Sequence, residues 1–494
     1  MAGKLGAGRR GALALAATMV ITALPGAQAQ AGDESQTTSL RLLQTRTEQT
    51  AHRGNADAPV RVDPQVWVTP VNGTFELRVR RTEHTGPFQI VKADYVGRSD
   101  TAQERGLPRE IVTRRGLARF VRVTVRNAAG ELVKRTPLRT FCPNSYEQQR
   151  SAPGGPDTPR FPEGCRLHRF GLSHVWGIDD GWATRALGYG GVRFRGPDGR
   201  YTVTVSIARR YVDLFHIAQE DAKASMSITV KTRTASSSGA TFAQGSEAAA
   251  DEERLSKHPA VRTVKQPNTR NLPDLASLPA WGIRAVHSRG RDLLRFAANV
   301  WVGGTSRLDV EGFRQRGEDV MEAYQYFYRG DEVVGRARVG TMKFHRQRGH
   351  HHWHFTDFAR YRLLDSSRAA SVRSHKQSFC IVPTDSIALD LPDAEWRPGD
   401  GTRCGWEDAL WVRQMIPVGW GDTYYQGVAG QAFNITKVPN GTYYVEVTAN
   451  PGKRLFETDT SNNTTLRKVV LKGRPGARTV CVPRYTTDLS RGNC

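Results

Sequence analysis

The residues of this chain best suited to chemistry are His350-His351-His352-Trp353-His354. On a β-strand, residues two apart share a face, so His350, His352 and His354 would point one way and His351 and Trp353 the other. Three imidazoles from one strand make half a collar for copper or zinc, leaving coordination positions for water, dioxygen or substrate. His345, five residues upstream, is placed to support that set from behind. The plain alternative is a histidine-rich surface tract that holds metal loosely or not at all. His168, His174 and His216 stand apart and read as packed or surface residues. None of the six cysteines sits in a Cys-x-x-Cys pair, which argues against a zinc or thiol-redox site.

A histidine strand needs sheet partners, and period-two patterning recurs through most of the chain. Thr74-Phe75-Glu76-Leu77-Arg78-Val79-Arg80 alternates apolar with polar residues, as do Arg119 to Arg126 and Tyr201-Thr202-Val203-Thr204-Val205. Such alternation puts one set of side chains on each face of a half-buried antiparallel strand. Turn residues such as Asn72-Gly73 and Pro197-Asp198-Gly199 punctuate these runs. Later, 293–302, 307–310, 321–328 and 333–339 read as strands, and 464–471 as another. A hairpin is expected where 433–438 turns through Pro439-Asn440-Gly441 into 442–447, because Asn-Gly between β-branched and aromatic runs is the strongest short hairpin signal. Between 234 and 270 large apolar residues become scarce, so little surface can be buried to offset chain entropy. The chain is therefore read as all-β: a β-rich domain over 32–233 with no catalytic constellation, a flexible linker over 234–270, and a second domain over 271–494. Both domains are expected to be β-sandwich-like, the second loop-rich and carrying the histidine strand.

Lys4, Arg9 and Arg10 precede an apolar centre running from Ala12 to Leu24, shorter than the ~20 residues a membrane-crossing helix needs. Pro25 and the small residues of Ala27-Gln28-Ala29 follow, so 1–29 reads as a secretory signal peptide. No later apolar stretch is long enough to span a bilayer, and a secreted, extracellular protein is expected. Six cysteines suit that oxidising destination, and proximity suggests Cys142 with Cys165, Cys380 with Cys404, and Cys481 with Cys494. The 494 residues carry 71 basic against 48 acidic side chains, a formal +23. The arginines are scattered rather than striped, so nucleic acid is not expected as a partner. An anionic cell-wall or surface polymer is the partner this charge would suit. The 48 glycines and 25 prolines exclude a helical bundle or coiled coil.

The tract around the histidines continues as Phe355-Thr356-Asp357-Phe358, Tyr361-Arg362-Leu363-Leu364-Asp365, and Ser374-His375-Lys376-Gln377-Ser378-Phe379-Cys380. Gly421-Asp422-Thr423-Tyr424 comes later, then Asn450-Pro451 and Glu457-Thr458-Asp459-Thr460-Ser461-Asn462-Asn463. In this order the motifs resemble the lysyl oxidase family, as a bacterial secreted member, over about residues 270–470. The resemblance implies that His350, His352 and His354 bind one copper ion. It also implies that Lys376 and Tyr424 combine into a self-derived lysine tyrosylquinone. Lys376 is the single lysine between Lys343 and Lys437. Tyr425 is the competing tyrosine and on alternation faces the other way.

The activity implied is that of a protein-lysine 6-oxidase-like copper amine oxidase. Primary amines, as peptidyl lysine or small amines, would become aldehydes, with dioxygen as acceptor and hydrogen peroxide and ammonia released. Asp422 and Asp357 are the candidate bases. The resemblance further implies a structural calcium held by Asp274, the carbonyl of Leu275, Glu457, Asp459, Asn462 and Asn463, oxygen donors of the kind a hard cation prefers. The chain departs from the animal pattern by one residue fewer between His354 and Phe358 and by Arg360 in place of a histidine. A non-catalytic β-sandwich adhesion or cell-surface binding protein with a metal-binding histidine tract is the competing reading.

Overall fold

A computed structural model of the chain describes residues 37–95, 101–188, 191–233, 261–315, 317–346, 351–374, 376, 378–399, 401, 404–428, 430–485 and 494. The expected signal peptide, the linker as far as residue 260 and His350 lie outside the described residues. The rest is mostly β, built from several antiparallel sheets. The alternation seen in the sequence is realised directly. In the strand Gly199–Ile207, Tyr201, Val203, Val205 and Ile207 are buried while Thr202 turns outward. Each such apolar side chain contributes roughly 1.5–3 kcal/mol when fully buried, so register is held by which face meets the core. Among the described residues no helix is long and apolar enough to cross a membrane.

Two large apolar cores form. One gathers residues between Leu40 and Val230. The other runs from Leu275 to Leu471 and also takes in Phe161 and Val175. The N-terminal half therefore reaches into the C-terminal core through the segment that follows Arg150. Phe161 stacks on Trp396 with ring centroids 5.5 Å apart. The backbone N–H groups of Leu172 and Ser173 donate to the Ile387 carbonyl at 2.5 and 3.0 Å. The Ser386 hydroxyl lies 2.7 Å from Nδ1 of buried His174.

Among the described residues, three sheets make up the C-terminal half. The first orders Ser378–Phe379, His352–Thr356, Glu332–His345, Val320–Arg329, Leu308–Phe313 and Trp411–Ile416. The second places Trp420–Tyr424 between Arg291–Gly304 and the short strand Asp385–Ser386. The third sets Gly441–Ala449 between Ala359–Leu364 and Thr464–Lys472. All three cysteine pairs expected from proximity are disulfides.

The expected Asn440-Gly441 hairpin does not form. Residues 432–434 are a short strand that pairs instead with Arg291–Gly304. The chain then turns where the Asn434 side chain accepts from the Thr436 N–H (3.2 Å), and Ile435 and Val438 drop into the core. Pro439 offers no N–H for a ladder. Gly441–Ala449 already has a partner on each edge, so tertiary pairing overrides the local turn signal.

Candidate functional site

The strand His352–Thr356 alternates as the sequence requires. Trp353 and Phe355 face the core, and the Trp353 indole donates to the Trp406 carbonyl (2.8 Å). His354, buried, and His352, half-buried, share the opposite face, with ring centroids 4.7 Å apart. His351, just before the strand, is exposed. His345 is the cross-strand partner of His352, and its ring lies 4.2 Å from that of His354. The Ser378 hydroxyl sits 2.9 Å from Nε2 of His345 and 3.3 Å from Nδ1 of His354. His345 thus joins this imidazole cluster, and Ser378, which the sequence did not single out as a site residue, links it. Among the described residues no set of three or more His, Cys, Asp or Glu side chains is gathered as a metal cage, and His350 lies outside them. The described imidazoles are nitrogen donors of the type copper takes, and Ser378 can orient them, so the donor chemistry fits that metal.

Lys376 sits on a short segment that joins two sheets. Downstream, Ser378 and Phe379 pair with Thr356 and Phe355 of the histidine strand. Upstream, the Ser374 hydroxyl donates to the Gly430 carbonyl (2.7 Å) and accepts from the Lys376 N–H (3.2 Å). Gly430 has φ +82°, and a Cβ there would come within 2.8 Å of Lys376 Cβ, so only glycine lets the two segments approach this closely. The anchored Lys376 is 7% exposed. Its Nζ lies 4.4 Å from the centre of the Tyr424 ring.

Tyr424 ends the strand Trp420–Tyr424, opposite Ala298. Its hydroxyl donates to the Cys380 carbonyl (2.6 Å), and the Phe379 ring meets it edge-on at 5.0 Å. Alternation separates the two adjacent tyrosines. Tyr425 turns to the other face, where its hydroxyl donates to Asp385 (3.3 Å) and the Arg166 guanidinium covers its ring at 5.2 Å.

Asp422 precedes Tyr424 by two residues, so the strand's alternation turns both toward Lys376, whose charge acts on Asp422. Only 2% of Asp422 is exposed, and its Oδ2 is buried without a hydrogen-bond partner. Burial holds this carboxyl well above the usual range, while the neighbouring Tyr424 hydroxyl and Lys376 work the other way. Burial also pulls the Lys376 ammonium down to about 8, against the raising influence of Asp422. The Tyr424 phenol is pushed well above its ordinary value by burial and then by Asp422. Each group is thus driven toward its uncharged form. Asp357, the other candidate base, is partly exposed, adopts φ +66°, and pairs loosely with Arg454 at 4.0 Å.

A second group of expected ligands also assembles. Glu457 accepts from the Leu275 N–H (3.2 Å) and from the side-chain amides of Asn450 (2.5 Å) and Asn463 (2.8 Å). The Asn462 amide donates to Asp274 (2.9 Å). Asp459 is exposed, but its charge reaches Asp274. The Oδ1 atoms of Asp274, Asn462 and Asn463 are all buried without a hydrogen-bond partner. Burial raises both Asp274 and Glu457.

Residues 332–481 match the lysyl oxidase family model. Lysyl oxidase homolog 2 of Gallus gallus is 33% identical over 115 residues, which is 23% of this chain and 13% of that protein. Lysyl oxidase homolog 3A of Danio rerio is 33% identical over 129 residues, 26% of this chain and 16% of that protein. The human homolog 2 is 32% identical over 115 residues, again 23% and 13%. The chain therefore spans only a small part of the relatives it matches. The family match begins at residue 332, so Asp274 and Leu275 precede it, whereas His352, His354, Lys376, Tyr424 and Glu457 to Asn463 fall inside.

Proposed function

We propose that this chain is a secreted copper- and quinone-dependent amine oxidase that converts primary amines to aldehydes. The observation that carries the reading is the Lys376 amine 4.4 Å above the Tyr424 ring, inside the family domain. His352 and His354, with His350, would hold the copper, which when bound supplies dioxygen chemistry toward Tyr424. The chain's own residues do the rest. Ser374 and Gly430 seat Lys376, the Cys380 carbonyl fixes the Tyr424 hydroxyl, and Phe379 closes over both. The bonded product would be lysine tyrosylquinone, an electron sink for amines. Three disulfides fit an oxidising compartment.

Purified protein loaded with copper in air should develop a visible quinone absorption, stain for quinone and release hydrogen peroxide with a primary amine. A folded, copper-loaded but colourless protein would put the adhesion or binding-module reading ahead. That rival requires neither Lys376 nor Tyr424.

Calcium belongs to the same proposal as a structural ion, supported by the three partnerless oxygens of Asp274, Asn462 and Asn463 beside Glu457. A cation at 100 times its dissociation constant stabilises a fold by about 2.7 kcal/mol, worth roughly 5–10 °C in melting temperature for a unit of this size. Millimolar calcium should therefore raise the melting temperature of chelated protein by several degrees, and Asp274→Ala should abolish the rise. Equal melting curves with calcium and with chelator would eliminate the site.

A further inference from the structure

Basic residues that lie far apart in sequence are gathered on one sheet of the N-terminal half. Its strands Leu132–Arg135, Gly116–Asn127, Gly199–Ile207, Lys223–Thr232 and Glu48–Arg53 lie side by side in that order. One face sends Val123, Val203 and Ile228 into the first core. On the other, cross-strand register sets Arg122 beside Ser206 and Lys223, and Thr124 beside Arg135, Thr204 and Ser225. Arg126 stands beside Thr202 and Ser227, Arg200 beside Thr229, and Lys231 beside His52. None of these outward side chains is buried, although three of the strands are central, so no layer of the described residues covers this face. Arg122, Arg126, Arg135, Arg200, Lys223 and Lys231 thus border a field of Ser and Thr hydroxyls. None of them makes an ion pair among the described residues, and the Arg126 guanidinium donates only to the Gly130 carbonyl (2.5 Å). Glu48, opposite Ser227 at the edge, is the one carboxylate on these five strands.

We infer that this face binds an anionic polysaccharide. A strand spacing of about 4.8 Å and a rise of about 3.3 Å per residue put the backbone positions of neighbouring cations roughly 8–10 Å apart. That is about one Debye length at 0.1 M salt, so their fields add, and a polymer laid across the sheet meets several at once. Between the cations the hydroxyls can donate to and accept from sugar hydroxyls. Those of Thr204 and Ser225 lie 2.8 Å apart and are free to exchange that partner for a ligand. A depression of about 200 Å³ opens beside Glu48, Thr50, Arg200, Ser227 and Thr229. It is smaller than the roughly 300–1,000 Å³ of a small-molecule pocket, which suits one unit of a chain. Nucleic acid fits less well. Proteins that hold single strands stack bases on aromatic rings, and a duplex groove admits a helix or a two-stranded ribbon. This face is five strands wide, and no Phe, Tyr or Trp points outward from it. The inference does not depend on the copper or quinone reading.

The test measures binding of the full-length chain to labelled polygalacturonate, neutral dextran and double-stranded DNA, with melting temperature recorded on the same samples. Polygalacturonate should bind in preference to both, and its affinity should fall steeply with sodium chloride as counterions compete. Combining Arg122→Gln, Arg126→Gln and Arg200→Gln should weaken it about tenfold, as three exposed ion pairs of ordinary strength would give, with the melting temperature unchanged. Removing the same charge elsewhere, through Arg209→Gln, Arg329→Gln and Arg338→Gln, should leave binding near the parental level. Thr202→Val with Thr204→Val keeps every charge and should still weaken polygalacturonate. Failure of the parent chain to bind polygalacturonate at low salt would overturn the proposal, as would equal losses in the two arginine triples. Valine variants that bind like the parent would reduce the face to a general cation patch and defeat the polysaccharide assignment. Tighter binding of DNA would hand the face to nucleic acid.

Discussion

Lys376→Arg is expected to bind copper at the parental level while giving no branched peptide and no oxidation of amines. At about 8 the parent lysine carries a free lone pair in about a tenth of molecules at pH 7. An ordinary lysine near 10.4 does so in fewer than about one in a thousand. Burial therefore raises the reactive fraction more than a hundredfold, and holding the amine 4.4 Å from the ring adds the gain of an intramolecular reaction. Arginine keeps its proton at any accessible pH and has a different reach, so it forfeits both. Tyr424→Phe should fail in the same way. Tyr425→Phe should retain cross-link and activity, because Tyr425 faces Asp385 and Arg166 on the other side of the strand. Mass spectrometry of a digest decides the matter. If the Lys376 and Tyr424 segments always emerge separately from an enzyme that still oxidises amines, the assignment is wrong and the quinone is built on tyrosine alone.

His354→Ala should abolish copper binding and with it the visible chromophore. Loss of a residue that merely supports a metal ligand typically costs 10–100-fold in affinity, so loss of a ligand should cost more than about 100-fold. His354 is buried at the centre of the imidazole cluster, between the rings of His345 and His352. His351→Ala should be nearly silent, since His351 is exposed ahead of the strand. Titration of each variant with copper, followed by elemental analysis, gives the comparison. Equal loss in the His351 and His354 variants would defeat a site built on one strand face.

Much of this was legible in the residues. Period-two alternation separated His352 and His354 from Trp353, and Tyr424 from Tyr425, because side-chain direction in a strand follows from backbone geometry alone. The same rule put Asp422 on the face of Tyr424. Cysteines close in sequence paired with one another, since a short chain cannot carry them far apart. Strand positions such as 293–302 and 321–328 fell within the strands Arg291–Gly304 and Val320–Arg329, whose first halves bury alternate residues and whose second halves, Phe296 to Gly303 and Gln325 to Tyr328, are buried on both faces.

What sequence could not supply was which strand lies beside which. The Asn440-Gly441 hairpin failed because Gly441–Ala449 pairs instead with the distant Ala359–Leu364 on one edge and with the following strand Thr464–Lys472 on the other. The approach of Lys376 to Tyr424 depends on Ser374, Gly430 and the Cys380 carbonyl, three groups with no local signature for that role. The contrast between buried Asp422 and partly exposed Asp357 is likewise one that arises only when sheets pack. Most telling is the segment 159–177 of the N-terminal half. Its Phe161, Ser173 and His174 read as unremarkable in sequence, yet they pack or hydrogen-bond against Trp396, Ile387 and Ser386. The strand Asp385–Ser386 in turn pairs with the one that carries Tyr424. Alternation fixes which way a side chain points, a property of a few consecutive residues. Its neighbours are set by long-range packing and by desolvation, which exist only in the folded chain.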